Sequence, residues 1–178
     1  MKVSVFIATS LDGFIAREDG RIDWLPSGEP APDAEDYGYK DFISTVDTLV
    51  MGRKTYETAL SFGEWPYENK SVIVLSSKAL EIPGRIAKSV EHMSLAPKEV
   101  VQALAKRGAT HLYIDGGATI QGFLKAQLIH QMTITQIPVL LGSGIPLFGK
   151  LENDIRLRHM NTRHFPSGFV QSKYEIAA

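Results

Sequence analysis

The stretch Thr48-Leu49-Val50-Met51-Gly52-Arg53-Lys54-Thr55-Tyr56-Glu57 constrains the fold most. Thr48 to Met51 is a short, apolar, partly β-branched run, the pattern of a buried strand. Gly52 ends it, and Lys54 to Leu60 reads as a helix. A strand feeding straight into a helix belongs to an α/β sheet. At such a switch, unpaired backbone N–H groups and the positive helix end favour an anion. Arg53 adds a planar cationic fork suited to phosphate, and Thr55 adds a hydroxyl. The same residues also read as a turn glycine followed by solvated basic side chains. The phosphate reading therefore depends on further stretches of the same kind.

The chain has 178 residues, enough for one well-buried domain over 1–178 and short for two. A formal net charge of −1 argues against an electrostatically driven nucleic-acid or membrane partner. There is no cysteine, which excludes disulfides, cysteine-type zinc sites, iron–sulfur clusters and a cysteine nucleophile. The apolar start, Val3 to Ala8, is followed by Asp12 and reads as a first strand instead of a signal peptide. No apolar run approaches the ~20 residues of a membrane span, so the cytoplasm is the expected location.

Along the chain, Val3 to Ala8 reads as a central strand, covered on both faces. Asp12-Gly13 marks a turn. Arg17 to Pro32 is a long polar loop carrying Trp24, and such loops are commonly functional. Asp33 to Val46 reads as a helix, with Tyr39, Phe42, Ile43 and Val46 as its buried stripe. Carried back one turn, that stripe reaches Asp36, which is the clearest inward carboxylate in the sequence. Ser71 to Leu75 is a strand ending in Ser76-Ser77-Lys78, and Ile86 to Val90 reads as a short strand. Ala96 to Arg107 is an amphipathic helix. His111 to Ile114 is a strand, and Asp115-Gly116-Gly117-Ala118 leads into a helix. Paired glycines there allow close backbone approach to a pyrophosphate. His130 to Ile137 alternates as a strand, and Ile155–His164 with Phe169–Ile176 reads as a closing antiparallel hairpin.

Two patterns mislead. Gly144 to Lys150 has phosphate-loop spacing, but Leu151 follows where a serine or threonine would hold magnesium. The five histidines are scattered without metal-ligand spacing, and no metal site is predicted.

Taken together, these stretches resemble the dihydrofolate reductase family over almost the whole chain. Gly52-Arg53-Lys54-Thr55-Tyr56-Glu57 is similar to its G-R-x-T-[WY]-E motif, and Ile114-Asp115-Gly116-Gly117 to its glycine-pair turn, where that family carries a cis peptide. Val74-Leu75-Ser76-Ser77 is similar to its strand ending at the adenosine ribose phosphate, and Trp24-Leu25-Pro26 to the end of its mobile loop. Asp36 stands sixteen residues before Gly52, the spacing of its substrate acid. Ser10 to Ala16 and Leu141 to Phe148 resemble more closely the reductase domain of riboflavin biosynthesis and its stand-alone relatives. Those enzymes carry a lysine where this chain has Phe6, and Lys40 stands where dihydrofolate reductases often place a phenylalanine.

The resemblance implies a mixed, mostly parallel twisted sheet flanked by helices. It implies a reductase that passes a hydride from NADPH to a pterin, folate or ribosylaminopyrimidine. Ala8 and Ile15 would border the nicotinamide. Gly52, Arg53, Lys54, Thr55, Leu75, Ser76, Ser77, Asp115, Gly116, Gly117, Ala118 and Thr119 would form the cofactor edge. Asp12, Trp24, Asp36 and Thr135 would meet the substrate, with Asp36 as the catalytic acid. The resemblance further implies a homodimer. A nucleotide-binding homologue without turnover is the alternative, motivated by Asp115 and Lys40.

Overall fold

Short apolar runs build the strands, and the computed structural model describes residues 1–26, 35–67 and 69–177. In chain order the elements are β1 (Lys2–Ser10), β2 (Phe14–Ala16), α1 (Tyr39–Thr45), β3 (Thr48–Gly52), α2 (Arg53–Leu60), β4 (Ser71–Leu75) and β5 (Val90–Met93). They continue with α3 (Pro97–Lys106), β6 (His111–Asp115), α4 (Gly117–Lys125), β7 (Gln131–Ile137), β8 (Ile145–Pro146), β9 (Leu157–His164) and β10 (Val170–Ile176). Eight strands form one sheet in the order β5-β4-β3-β6-β1-β7-β10-β9. From β5 to β7 every pairing is parallel, while β10 runs antiparallel to both β7 and β9. The small pair β2–β8 stands apart. This is the mixed, mostly parallel sheet with a closing hairpin that the sequence predicts.

Strand alternation divides the core. On one face, Val3, Val5, Val50, Ile73, Leu112 and Ile114 pack with Val100 and Leu104 of α3 and with Ile120, Phe123 and Leu124 of α4. On the other, Leu49, Met51, Val72, Val74 and Tyr113 pack under Tyr56 and Ala59 of α2 and the half-buried Tyr39, Phe42 and Ile43 of α1.

Two elements differ from expectation. The helix expected over Asp33–Val46 is confined to Tyr39–Thr45, because Tyr37 (φ 55°) and Gly38 (φ 80°) are left-handed and cannot continue an α-helix backwards. Asp33 and Ala34 lie outside the described residues, as does the loop stretch Ser27–Pro32. The strand expected at Ile86–Val90 begins only at Val90. Ile86 to Ser89 instead turns, with the N–H groups of Ser89 and Val90 both donating to the Ile86 carbonyl at 3.0 Å.

Candidate active site

The two glycine turns meet. β3 and β6 are parallel neighbours, with Met51 opposite Asp115, so Gly52 and Gly116 leave the sheet side by side. From there β3 leads through α2 to β4 on one side, while β6 leads through α4 to β7 on the other. Such a divergence opens a crevice at the carboxyl ends of the strands, where α/β sheets hold ligands.

The helix starts pack reciprocally. A Cβ on Gly52 would stand 2.9 Å from Thr119 Oγ1 of α4, and a Cβ on Gly116 would collide with Thr55 Oγ1 of α2. Gly116 is left-handed (φ 89°), so glycine is required there twice over, by conformation and by space. A Cβ on Gly117 would lie 3.0 Å from Ile15 Cδ1, which brings Ile15 onto the glycine pair. No cis peptide occurs among the described residues, and the bond joining Gly116 to Gly117 is trans. Two helix N-termini and a bare backbone thus stand side by side, an arrangement that favours an anion.

Arg53 and the turn after β4 approach each other on the same edge. The Arg53 guanidinium donates from Nε to Glu57 at 2.7 Å and from one terminal nitrogen to the Ala79 carbonyl at 3.4 Å. One nitrogen of the fork is unspent by these contacts. Ser76 closes its own turn, its hydroxyl donating to the Lys78 carbonyl and accepting from the Lys78 N–H. Ser77, Lys78, Lys54 and Ala118 are exposed, and Leu75 is half-buried at the strand end.

The acidic residues differ in their availability. Asp36 is half-buried, and its oxygens accept from the Gly38 N–H at 3.0 Å and the Lys40 N–H at 2.8 Å. Those donors, Lys40 first, hold its carboxyl below the usual range. It therefore caps the approach to α1 and does not stand on the buried stripe as the sequence suggests. Asp12 is exposed and accepts from the Ser10 hydroxyl and from the backbone of Leu141 and Gly142, stapling two loops together.

Asp115 is half-buried at the end of β6, where protein surrounds its carboxyl. Burial pushes its carboxyl up to about 6, against a single opposing N–H from Gly116 at 2.8 Å. Three phenols share its surroundings. Tyr39 is pushed up to about 12, first by burial and then by the charge of Asp115, and Tyr67 and Tyr113 are raised by the same causes. Sequence reasoning placed Asp115 only in the phosphate turn. The missed signal is alternation along His111-Leu112-Tyr113-Ile114-Asp115, which puts Asp115 on the face of Tyr113, under α1 and α2.

Ala8 lies opposite Thr135 across β1 and β7. Trp24, like Ala8, Leu25 and Tyr37, packs against the cluster of Ile137, Phe165 and Phe169, and its buried indole N–H has no acceptor among the described residues. The Thr135 hydroxyl accepts from Gln171 Nε2 at 2.9 Å, and the same amide donates to the Tyr37 carbonyl at 2.9 Å. Thr135 is thus joined to the Asp36 region through Gln171, a residue the sequence reading did not single out.

A mixed, mostly parallel sheet with two glycine turns side by side at its carboxyl ends has the dihydrofolate reductase fold. Residues 1–171 match the RibD C-terminal domain family, and the chain belongs to it. This is a family of reductase domains. The chain is 38% identical over 166 residues to the uncharacterized Bacillus subtilis protein YwjB, covering 92% of each. It is 42% identical, at a TM-score of 0.93 and full coverage of both chains, to a Shewanella sp. PV-4 protein provisionally assigned to riboflavin biosynthesis. It also shares its fold with Enterococcus faecalis dihydrofolate reductase complexed with NADP(H), at a TM-score of 0.66 and 20% identity, covering 99% of this chain and 97% of that one.

Proposed function

We propose that the protein is an NADPH-dependent reductase that passes a hydride to a pterin, folate or ribosylaminopyrimidine-type substrate, working in the cytoplasm as a homodimer. The reciprocal packing of the α2 and α4 starts around Gly52 and Gly116 is the observation that carries this reading. Gly52, Arg53, Lys54, Thr55, Leu75, Ser76, Ser77, Gly116, Gly117, Ala118 and Thr119 would hold the cofactor, with Ala8 and Ile15 beside its nicotinamide. When bound, a reduced nicotinamide supplies the hydride. The chain aligns the substrate, excludes water and controls one proton. Reduction of a C=N bond, in a pterin ring or in the imine form of a ribosylamine, adds hydride at carbon and a proton at nitrogen. Asp115, whose carboxyl titrates near 6, can present that proton or, when ionised, accept from an amino-pyrimidine edge. We assign it the acid role in place of Asp36, whose two oxygens already accept backbone N–H groups. The Trp24 indole N–H and Thr135 complete the substrate wall.

Nucleotide binding without turnover is the second reading, and the internal satisfaction of Asp36 favours it. NADPH binding with no consumption across a panel of pterins and pyrimidines would establish it. The cofactor assignment is tested at Arg53. A charge-assisted contact contributes about 1.5–3 kcal/mol, so Arg53→Ala should weaken NADPH roughly tenfold or more. NADH, lacking the extra phosphate, should lose little. Fluorescence titration with both cofactors checks this, and equal losses would remove Arg53 from the phosphate site.

A further inference from the structure

The turn after β4 is held from outside as well as by its own hydroxyl. Ser76 to Ala79 offers hydroxyls, a lysine and backbone N–H groups to an anion. Each of its peptide units also carries a carbonyl oxygen, whose partial negative charge repels one. The turn therefore favours an anion when its carbonyls are engaged elsewhere.

Three of them are. The Lys78 carbonyl accepts from the Ser76 hydroxyl at 2.8 Å, and the Ala79 carbonyl from the Arg53 guanidinium at 3.4 Å. The Ser76 carbonyl accepts from Nε2 of His92 at 2.8 Å. A carbonyl can only accept, so Nε2 carries the proton. His92 stands in β5, an edge strand, and pairs with Val74 across the parallel ladder. The ladder runs one residue past β4, where the Ser76 N–H donates to the Met93 carbonyl at 3.1 Å. Strand β5 thus fixes both peptide groups of Ser76, the N–H through Met93 and the carbonyl through His92. Alternation puts His92 on the face of Val90, which packs with Val72 and Val74 beneath α2. An apolar residue would continue that face. The half-buried histidine at the sheet edge instead spends its donor on the turn. Ser77 and Lys78 stay exposed, next to the Ala79 carbonyl that Arg53 reaches.

We propose that His92 is a positioning residue for the ribose phosphate of the cofactor: its Nε2–H holds the Ser76 carbonyl, so that the Ser76–Ala79 turn presents donors to a 2′-phosphate. The proposal rests on the NADPH assignment, and His92 acts through Ser76.

Fluorescence titration of the full chain with NADPH and with NADH measures it. NADH differs only in lacking the 2′-phosphate. His92→Phe keeps a ring suited to an edge strand and removes the donor. It should weaken NADPH by about three- to tenfold, the range of one ordinary hydrogen bond, and leave NADH within about twofold. His92→Gln carries an N–H donor at nearly the reach of Nε2 and should restore most of the loss. His92→Asn is one bond shorter and should not. A merely structural role would weaken both cofactors alike. Should His92→Phe melt early, His92→Gln and His92→Asn are compared directly, and NADPH should bind His92→Gln about threefold or more tighter. Unchanged NADPH affinity, equal losses for the two cofactors, or His92→Asn binding as well as His92→Gln would overturn the proposal. Wild type that binds both cofactors equally would remove the phosphate assignment and the proposal with it. Wild type that prefers NADPH, with variants that prefer it as strongly, would remove the proposal alone.

Discussion

At Asp115 the chain holds a carboxyl where its ionised form is disfavoured. Moving a carboxyl from its ordinary 3.8 to about 6 corresponds to something on the order of 3 kcal/mol against the charged form at neutral pH. The Gly116 N–H offsets part of that cost. Asparagine keeps an acceptor for the same N–H and removes the charge. Asp115→Asn should therefore be more stable than wild type above pH 7, by about 1–3 kcal/mol. Its turnover on the true substrate should fall roughly 10²–10⁴-fold, as loss of an acid–base group does. Urea melts at pH 8 and NADPH consumption check the two halves separately. A less stable variant at pH 8 would show that the buried charge is not the penalty described. The combination of a destabilising residue with a central position is what separates Asp115 from Asp36. Asp36 was legible as an acid near a helix start. Its satisfaction by Gly38 and Lys40 was not, since that depends on a left-handed turn which no apolar stripe reports.

The helices α2 and α4 owe their common arrangement to four residues of small side chain. Gly52 admits Thr119, and Gly116 admits Thr55. Each glycine was legible as a turn between strand and helix. Their mutual fit was not, because each partner lies in the other helix. Gly116→Ala meets both a left-handed backbone and the Thr55 hydroxyl, so it should destabilise the fold by roughly 2–4 kcal/mol. Adding Thr55→Ala removes the collision but leaves the backbone strain. The double variant should recover part of the loss, not all of it, and a thermal-melt cycle measures the coupling. Full additivity would mean that the two turns do not touch in solution. Strand β3 was legible because a continuous apolar run ends at a glycine. Strand β5 was misplaced because Glu91 and His92 interrupt its apolar pattern. It is an edge strand paired only to β4, so half of it needs no cover. Helix α1 showed its stripe correctly but not its start.

The whole molecule carries two opposed titrations, and exposed apolar groups at one corner. Leu11 and Leu140 are 59% and 69% exposed and are brought together by the Leu11 N–H donating to the Val139 carbonyl. If the proposed homodimer uses them, light scattering at micromolar concentration should give a dimer mass, and Leu140→Asp a monomer mass. The pH profile is a separate consequence of burial. His111, the first residue of β6, is buried, its Nε2 2.9 Å from the Ser4 hydroxyl and its Nδ1 3.0 Å from the Thr45 carbonyl. A neutral ring that donates from Nδ1 and accepts at Nε2 satisfies both. Burial lowers its pKa from 6.5, with Lys2 acting the same way and the Thr45 carbonyl and Asp47 opposing. The unfolded chain then binds this proton more readily than the folded one. Stability from His111 is complete above about pH 6.5 and is lost as pH falls below it. Asp115 has the opposite sign. Its folded value lies above its unfolded one, so its contribution is complete below about 3.8 and is lost as pH rises through about 6. Between pH 6.5 and 4 the two slopes oppose each other, and the wild-type profile should be shallow. Below that window Asp12, Asp47 and Glu175, whose carboxyls are held low by hydrogen bonds, add an acid loss. In Asp115→Asn the compensating slope is gone, so urea melts should show stability falling steadily from pH 6.5 toward 4. A variant whose profile stays as shallow as wild type would mean that His111 remains neutral throughout, or that Asp115 carries no raised pKa.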